Sequence, residues 1–120
     1  MRKIYLLFIP LLLVLCLVGY NKINTCTPKE KVDVAINDSG FSESELTITR
    51  CTTVVFKNLG SQSHWPASDL HPTHLMYPEF DPKQPIAPGG SWVFIFDRVG
   101  NWKCHDHLHP LNRCTIHVIR

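Results

Sequence analysis

Beyond residue 30 the chain alternates between apolar and polar positions in short runs. Val32-Asp33-Val34-Ala35-Ile36 has a period of two, residues 45–49 repeat it, and Thr52-Thr53-Val54-Val55-Phe56 is β-branched and aromatic. These are strand signatures. Gly40, Asn58-Leu59-Gly60 and Pro88-Gly89-Gly90 punctuate them as turns. Further strands are predicted at 91–97, 100–105 and 115–119, and no stretch of this part carries a 3.6-residue period. Six or seven short strands in a segment of this length predict an all-β, Greek-key β-sandwich.

The first twenty residues follow a different pattern. Arg2 and Lys3 precede an apolar run from Tyr5 to Tyr20, broken only by Pro10 and Gly19. A basic start followed by an apolar stretch predicts an N-terminal hydrophobic signal peptide or membrane-anchor helix over 1–21. The run is shorter than the roughly 20 residues of a spanning helix, and no small-x-small triplet closes it. Cleaved signal, uncleaved anchor and lipid attachment at Cys16 stay open, although Leu15 stands where a lipoprotein signal has a small residue. All three put the rest of the chain outside the cytoplasm: periplasmic, at the cell surface or secreted. Residues 22–30 then read as a linker and 31–120 as the domain.

Composition bounds the size and the partners. A chain of 120 residues, 44% of them hydrophobic, holds one small domain. Setting aside Arg2 and Lys3 leaves ten cationic against ten acidic residues, so nothing argues for nucleic acid. Of five cysteines, Cys16 falls in the apolar run. Cys26, Cys51, Cys104 and Cys114 form an even set in an oxidising compartment, which predicts disulfides with three possible connectivities.

Histidine supplies the candidate chemistry. Ser63-His64-Trp65-Pro66 follows one strand region, and Trp102-Lys103-Cys104-His105-Asp106-His107-Leu108-His109 ends another. Between them, residues 62–88 carry six prolines together with His71 and His74. Proline removes backbone donors and fixes φ, so this stretch is expected as an ordered but irregular flap. Residues i and i+2 of a strand share a face, which lets His105 and His107 converge from one side while His64 arrives from a neighbouring strand end. Three neutral imidazoles suit copper or, less well, zinc. A lone histidine carries little meaning, and His117 in the last strand is read as structural. Trp65, Trp92 and Trp102 are read as core or site-lining packing.

The order of these parts resembles the cupredoxins, the plastocyanin- and amicyanin-like copper proteins. The resemblance rests on Phe-Ser-Glu-Ser-Glu-Leu-Thr-Ile-Thr (41–49), Thr-Val-Val-Phe-Lys-Asn (53–58), a histidine six residues on, and the strand from Gly100. It implies that His64 is the first copper ligand and His109 the second histidine. The thiolate position falls on Asp106, and Leu111 and Asn112 stand where a methionine is expected. The metal loop is instead similar to a second family. Trp102-x-Cys104-His105-x-His107 resembles the Trp-Tyr-His-x-His segment of multicopper oxidases, and Ser63-His64-Trp65 the start of their His-Trp-His segment, with Pro66 in place of the second histidine. Carried over by position, the metal ligands are His64, His105 and His107. His71, His74, His109 and Cys104 are candidate additional ligands, and Asp106 a residue that orients a ligand.

The resemblance also implies disulfides. Cupredoxin topology brings Cys26 near Cys51 at the end remote from the metal, and Cys104 beside Cys114 on antiparallel neighbours. A rival reading takes Cys104-x-x-His107 as a shifted blue-copper loop, which leaves Cys114 unpaired. The implied function is an exported copper-binding cupredoxin-like protein, holding one copper ion in a histidine-rich, type 2-like site. It would act in copper handling or electron transfer with a redox or copper-delivery partner, and would meet the membrane through an uncleaved N-terminal segment. The alternative is a metal-free accessory module that binds a protein partner. No nucleophile–base pair or paired carboxylates at telling spacing argue for an enzyme.

Overall fold

The structure is a computed structural model that describes residues 26–120. The expected signal or anchor segment and Cys16 lie outside the described residues.

Among the described residues, eight strands are arranged in two sheets: β1 (Lys31–Asn37), β2 (Gly40–Phe41), β3 (Glu45–Thr49), β4 (Thr52–Asn58), β5 (Pro66–Ser68), β6 (Ser91–Phe96), β7 (Gly100–Asp106) and β8 (His109–Ile119). One sheet has the order β2-β1-β4-β6 and the other β3-β8-β7-β5. β1 pairs parallel with β4, and β3 parallel with β8, so each sheet mixes parallel and antiparallel neighbours. This is the predicted β-sandwich. Period-two alternation does the sorting: Cys114, Ile116 and Val118 of β8 are buried, whereas the intervening Thr115 and His117 are not. His117 sits on the outer face, with Nδ1 2.7 Å from Asn101 Oδ1.

The core between the sheets holds a connected cluster of aromatic rings. Phe56 of β4 stacks on Phe80 with centroids 5.5 Å apart, and Trp92 lies parallel to Phe80 at 6.0 Å. Tyr77 packs against Trp102 at 4.8 Å. Tyr77, Phe80 and Ile86 belong to the flap and are buried in this core. The flap is thus pinned by its own apolar side chains. It is also less irregular than its prolines suggest, because it opens with β5, which pairs antiparallel with β7. Pro66 is tolerated there as the first residue of a short strand. At its far end His64 and Ile86 exchange backbone hydrogen bonds of 3.1 and 2.7 Å.

Both disulfides have the connectivity that the resemblance implied, Cys26–Cys51 and Cys104–Cys114. Cys104 therefore offers no thiolate, and the shifted blue-copper loop lacks its defining ligand in this structure.

Truncating Phe80 removes the ring that joins flap to core. Phe80→Ala is expected to lower unfolding free energy by about 3–5 kcal/mol, read as a drop in denaturant midpoint at unchanged m-value.

Candidate metal centre

Among the described residues, two side-chain clusters stand at one end of the sandwich. The first gathers His71, His74, His105 and His107; the second gathers His64, Asp106 and His109. The three histidines carried over as one ligand set are thus divided, with His105 and His107 in one cluster and His64 in the other. His71, His74 and His109, named as candidate additional ligands, complete the two.

The four-histidine cluster joins the flap to β7. β7 delivers His105 near its end, and a register shift between His105 and Asp106 loosens the strand just before His107. The two rings nevertheless stay 6.3 Å apart by centroid. β5 lies alongside, with Ala67 opposite His105, so the chain leaving it at Asp69 passes directly beside the cluster. The backbone then turns through His71 to His74, which has a left-handed φ of 56°. That conformation costs a non-glycine residue energy and recurs where side chains are aimed for a task.

Carboxylates orient two of the rings. His105 Nδ1 donates to Asp69 Oδ1 at 2.8 Å, and His74 Nδ1 donates to Asp81 Oδ2 at 2.7 Å. A carboxylate is acceptor-only here, so both Nδ1 atoms carry the proton and both Nε2 atoms present lone pairs. Each faces another imidazole: His105 Nε2 is 3.2 Å from His71 Nδ1, and His74 Nε2 is 3.0 Å from His107 Nδ1. The four nitrogens lie within 4.8 Å of one another. Metal–nitrogen bonds of about 2.0 Å put neighbouring ligands roughly 3 Å apart and opposite ones roughly 4 Å. The donor set therefore fits a four-coordinate cation. A carboxylate behind a ligating imidazole is the arrangement that fixes its tautomer and raises its basicity.

The carboxylates are held in turn. Arg113 donates to Asp69 Oδ2, while Trp65 Nε1 and the Lys83 amide donate to Asp81 Oδ1, each at 2.8 Å. Burial would raise the pKa of Asp81, but the bonds from His74, Lys83 and Trp65 outweigh it and hold the carboxyl below its ordinary range. The Trp65 ring also leans on His107, 4.7 Å between centroids. Neither Asp69 nor Asp81 was singled out from the sequence. Each lies one strand or one turn from a histidine without a fixed spacing to it, so only the fold pairs them.

His105 and His107 are held below the ordinary histidine pKa, by burial first and by neighbouring imidazoles second. Both rings are thereby kept neutral, the state a metal requires.

The second cluster centres on Asp106, which is fully buried. Its Oδ1 accepts from the amides of Trp65 (2.9 Å) and Leu108 (3.1 Å), and its Oδ2 faces Nδ1 of His64 (2.6 Å) and Nδ1 of His109 (2.9 Å). Burial alone would raise its pKa, yet these contacts outweigh it and keep the carboxyl low. These are the three residues that the cupredoxin resemblance aligned with the family's two histidines and thiolate. With a carboxylate in the thiolate's place, the cluster does not fit a blue-copper ion, whose trigonal plane needs a cysteine sulfur.

Removing one orienting carboxylate tests its role. Asp81→Asn is expected to weaken metal binding at the four-histidine cluster by about 10–100-fold, measured by competition with a chelator. Acid should act in the same direction. A histidine whose folded pKa is depressed stabilises the fold above its unfolded pKa of about 6.5 and loses that contribution as pH falls below it. Metal uptake and apo-protein stability are therefore both expected to decline together below about pH 6.5, in paired titration and unfolding series.

No family model matches the chain, and no curated protein matches it. Solved structures do. A purple cupredoxin from Nitrosopumilus maritimus aligns at a TM-score of 0.63 with 21% identity, covering 72% of this chain and 98% of that one. A reduced, Cu(I) form of an amicyanin variant at pH 4 aligns at 0.63 with 17% identity, covering 77% and 85%. A further reduced amicyanin variant aligns at 0.64 with 17% identity over the same shares. Two four-stranded sheets with this order, the paired disulfides and these structural neighbours give one conclusion: the domain has the cupredoxin fold.

Proposed function

We propose that this is an exported copper-binding protein that holds one copper ion through His71, His74, His105 and His107 and serves copper handling outside the cytoplasm. The observation that carries the reading is the convergence of four imidazole nitrogens, two of them oriented by Asp69 and Asp81. Nitrogen-rich sites favour copper over other divalent first-row ions by intrinsic affinity. The copper of the reduced Cu(I) amicyanin variant belongs to that protein, yet it agrees with the donor chemistry here. Bound copper would supply a redox-active, nitrogen-ligated centre, and the protein's residues would fix its geometry and limit its access.

The distribution of exposure favours handling over rapid electron transfer. His74 and His105 are buried, whereas His71 lies at the surface on the flap. One exposed ligand on a peripheral segment gives an incoming donor a point of exchange. Export is supported by the basic and apolar N-terminal sequence together with two disulfides, which persist in oxidising compartments.

Copper(II) titration of the full-length protein tests the reading. One equivalent with a weakly coloured, type 2 paramagnetic resonance spectrum carrying imidazole nitrogen couplings is expected. His74→Ala and His105→Ala should abolish that signal, and His117→Ala should leave it intact. An intense copper–thiolate absorption, or a signal untouched by either cluster variant, would sink it.

A further inference from the structure

The pole of the sandwich opposite the histidines holds a recess that the copper reading leaves unused. The ends of β3, β6 and β8 meet the starts of β4 and β7 there. Backbone hydrogen bonds join them: the Arg50 amide donates to the Ile119 carbonyl at 2.7 Å and the Cys51 amide to the Phe96 carbonyl at 2.8 Å. The Cys26–Cys51 disulfide fastens the incoming chain to the same corner. Between these segments lies an open recess of about 580 Å³, whose lining carries Lys29, Arg50 and Arg120 against one acid, Glu30.

These three cations lack anionic partners. Among the described residues, the Lys and Arg side chains that form ion pairs are Lys57, Lys83, Arg98 and Arg113; Lys29, Arg50 and Arg120 form none. The acids nearby are engaged elsewhere. Asp97 accepts from the Tyr77 hydroxyl and offers Arg50 only its backbone carbonyl, to which Nε donates at 2.7 Å. Glu79 holds Arg98 at 2.7 Å, and Glu30 faces the Thr49 hydroxyl at 3.4 Å. Arg50 is half-buried and steadied through Nε, while its two terminal nitrogens have no partner among the described residues. A guanidinium held in this way presents the paired donors that match a phosphate. Three cations around one recess repel each other, and a bound anion relieves that repulsion.

We propose that this recess binds the phosphate of an anionic phospholipid headgroup and so docks the domain on a membrane with its histidine end pointing away. The position of the recess selects a lipid over a free anion. The apolar run in the sequence ends at Tyr20, and only residues 21–25, which include the cationic Lys22, separate it from Cys26. Fully extended, that stretch reaches about 20 Å. With the run in a bilayer, the headgroups lie within that distance of the recess. Val99, exposed beside the cations, adds apolar surface suited to the membrane interface. The source of the phosphate rests on the reading of residues 1–21 as an anchor and is independent of copper. Docking would also give the histidines a fixed height. β8 runs eleven residues from His109 to Ile119, which sets the two poles roughly 35 Å apart. His71 would then face outward, toward a soluble partner.

The test reconstitutes full-length protein into vesicles of phosphatidylcholine alone or mixed with phosphatidylglycerol, and follows acylation of lysine amines by mass spectrometry. Lys29 is expected to be protected in the anionic vesicles only, with the exposed Lys103 equally reactive in both. Arg50→Gln and Arg120→Gln should each raise Lys29 reactivity there by about fivefold, the weight of one cation at a membrane surface. Arg120 is exposed, so that variant keeps the test meaningful if Arg50→Gln disturbs the turn. Inorganic phosphate added in excess to the neutral vesicles should leave Lys29 reactive. Equal Lys29 reactivity in the two vesicles, protection shared by Lys103, or protection untouched by both variants would each overturn the proposal. Protection by free phosphate as strong as by the lipid would overturn the assignment to a membrane. Copper enters none of these readouts, so their failure leaves the four-histidine reading standing.

Discussion

The buried carboxylate of Asp106 is the constraint around which this end of the sandwich is organised. An ionised group without solvent contact is tolerated only when its lone pairs are all engaged, and here two amides and two imidazoles engage them. Those partners come from the loop between β4 and β5, from the turn between β7 and β8, and from His109 at the start of β8. Their joint attachment fixes where Trp65 and His107 sit. Trp65 then reaches through its indole N–H to Asp81, which sets the tautomer of His74. A chain of direct contacts thus runs from the position that the cupredoxin resemblance aligns with a thiolate to the four imidazoles that lie beside it.

The flap makes the second half of the arrangement possible. It contributes two histidines, and such a segment would position them poorly if it were held by its ends alone. Tyr77 and Phe80 bury full aromatic rings between the sheets, and the Tyr77 amide donates to Ser68 Oγ at 2.7 Å. β5 adds a strand pairing at the start of the flap. His71 and His74 therefore lie on a stretch tied down before and after them, so less ordering is left to be done when a ligand binds.

The strands were legible where alternation was clean. β3 spans the expected 45–49, and the inward set of β8 follows from period two alone. β5 was hidden by Pro66 at its first position, and β8 proved longer than its apolar tail because β7 pairs with its polar half as well. In the flap, proline outweighed the signal carried by Tyr77, Phe80 and Ile86, whose apolar side chains in a polar stretch mark a segment that packs. The site was legible as residues and not as sets. Histidine spacing named every imidazole in both clusters, but it grouped His64 with His105 and His107 across a boundary that only strand pairing and the carboxylates define. Asp69 and Asp81 act through space and carry no local motif.

Replacing a thiolate by a carboxylate alters what such a fold can hold. A buried aspartate favours harder cations and hydrogen-bonded imidazoles, while the cysteines that remain are consumed in disulfides. On the proposed reading, copper affinity then comes from nitrogen. X-ray absorption of the protein loaded with one equivalent of copper reads the ligands directly. A shell of four imidazole nitrogens with no sulfur scatterer is expected, lost together with the metal in His74→Ala. A sulfur at bonding distance, or a copper shell unchanged in that variant, would contradict it.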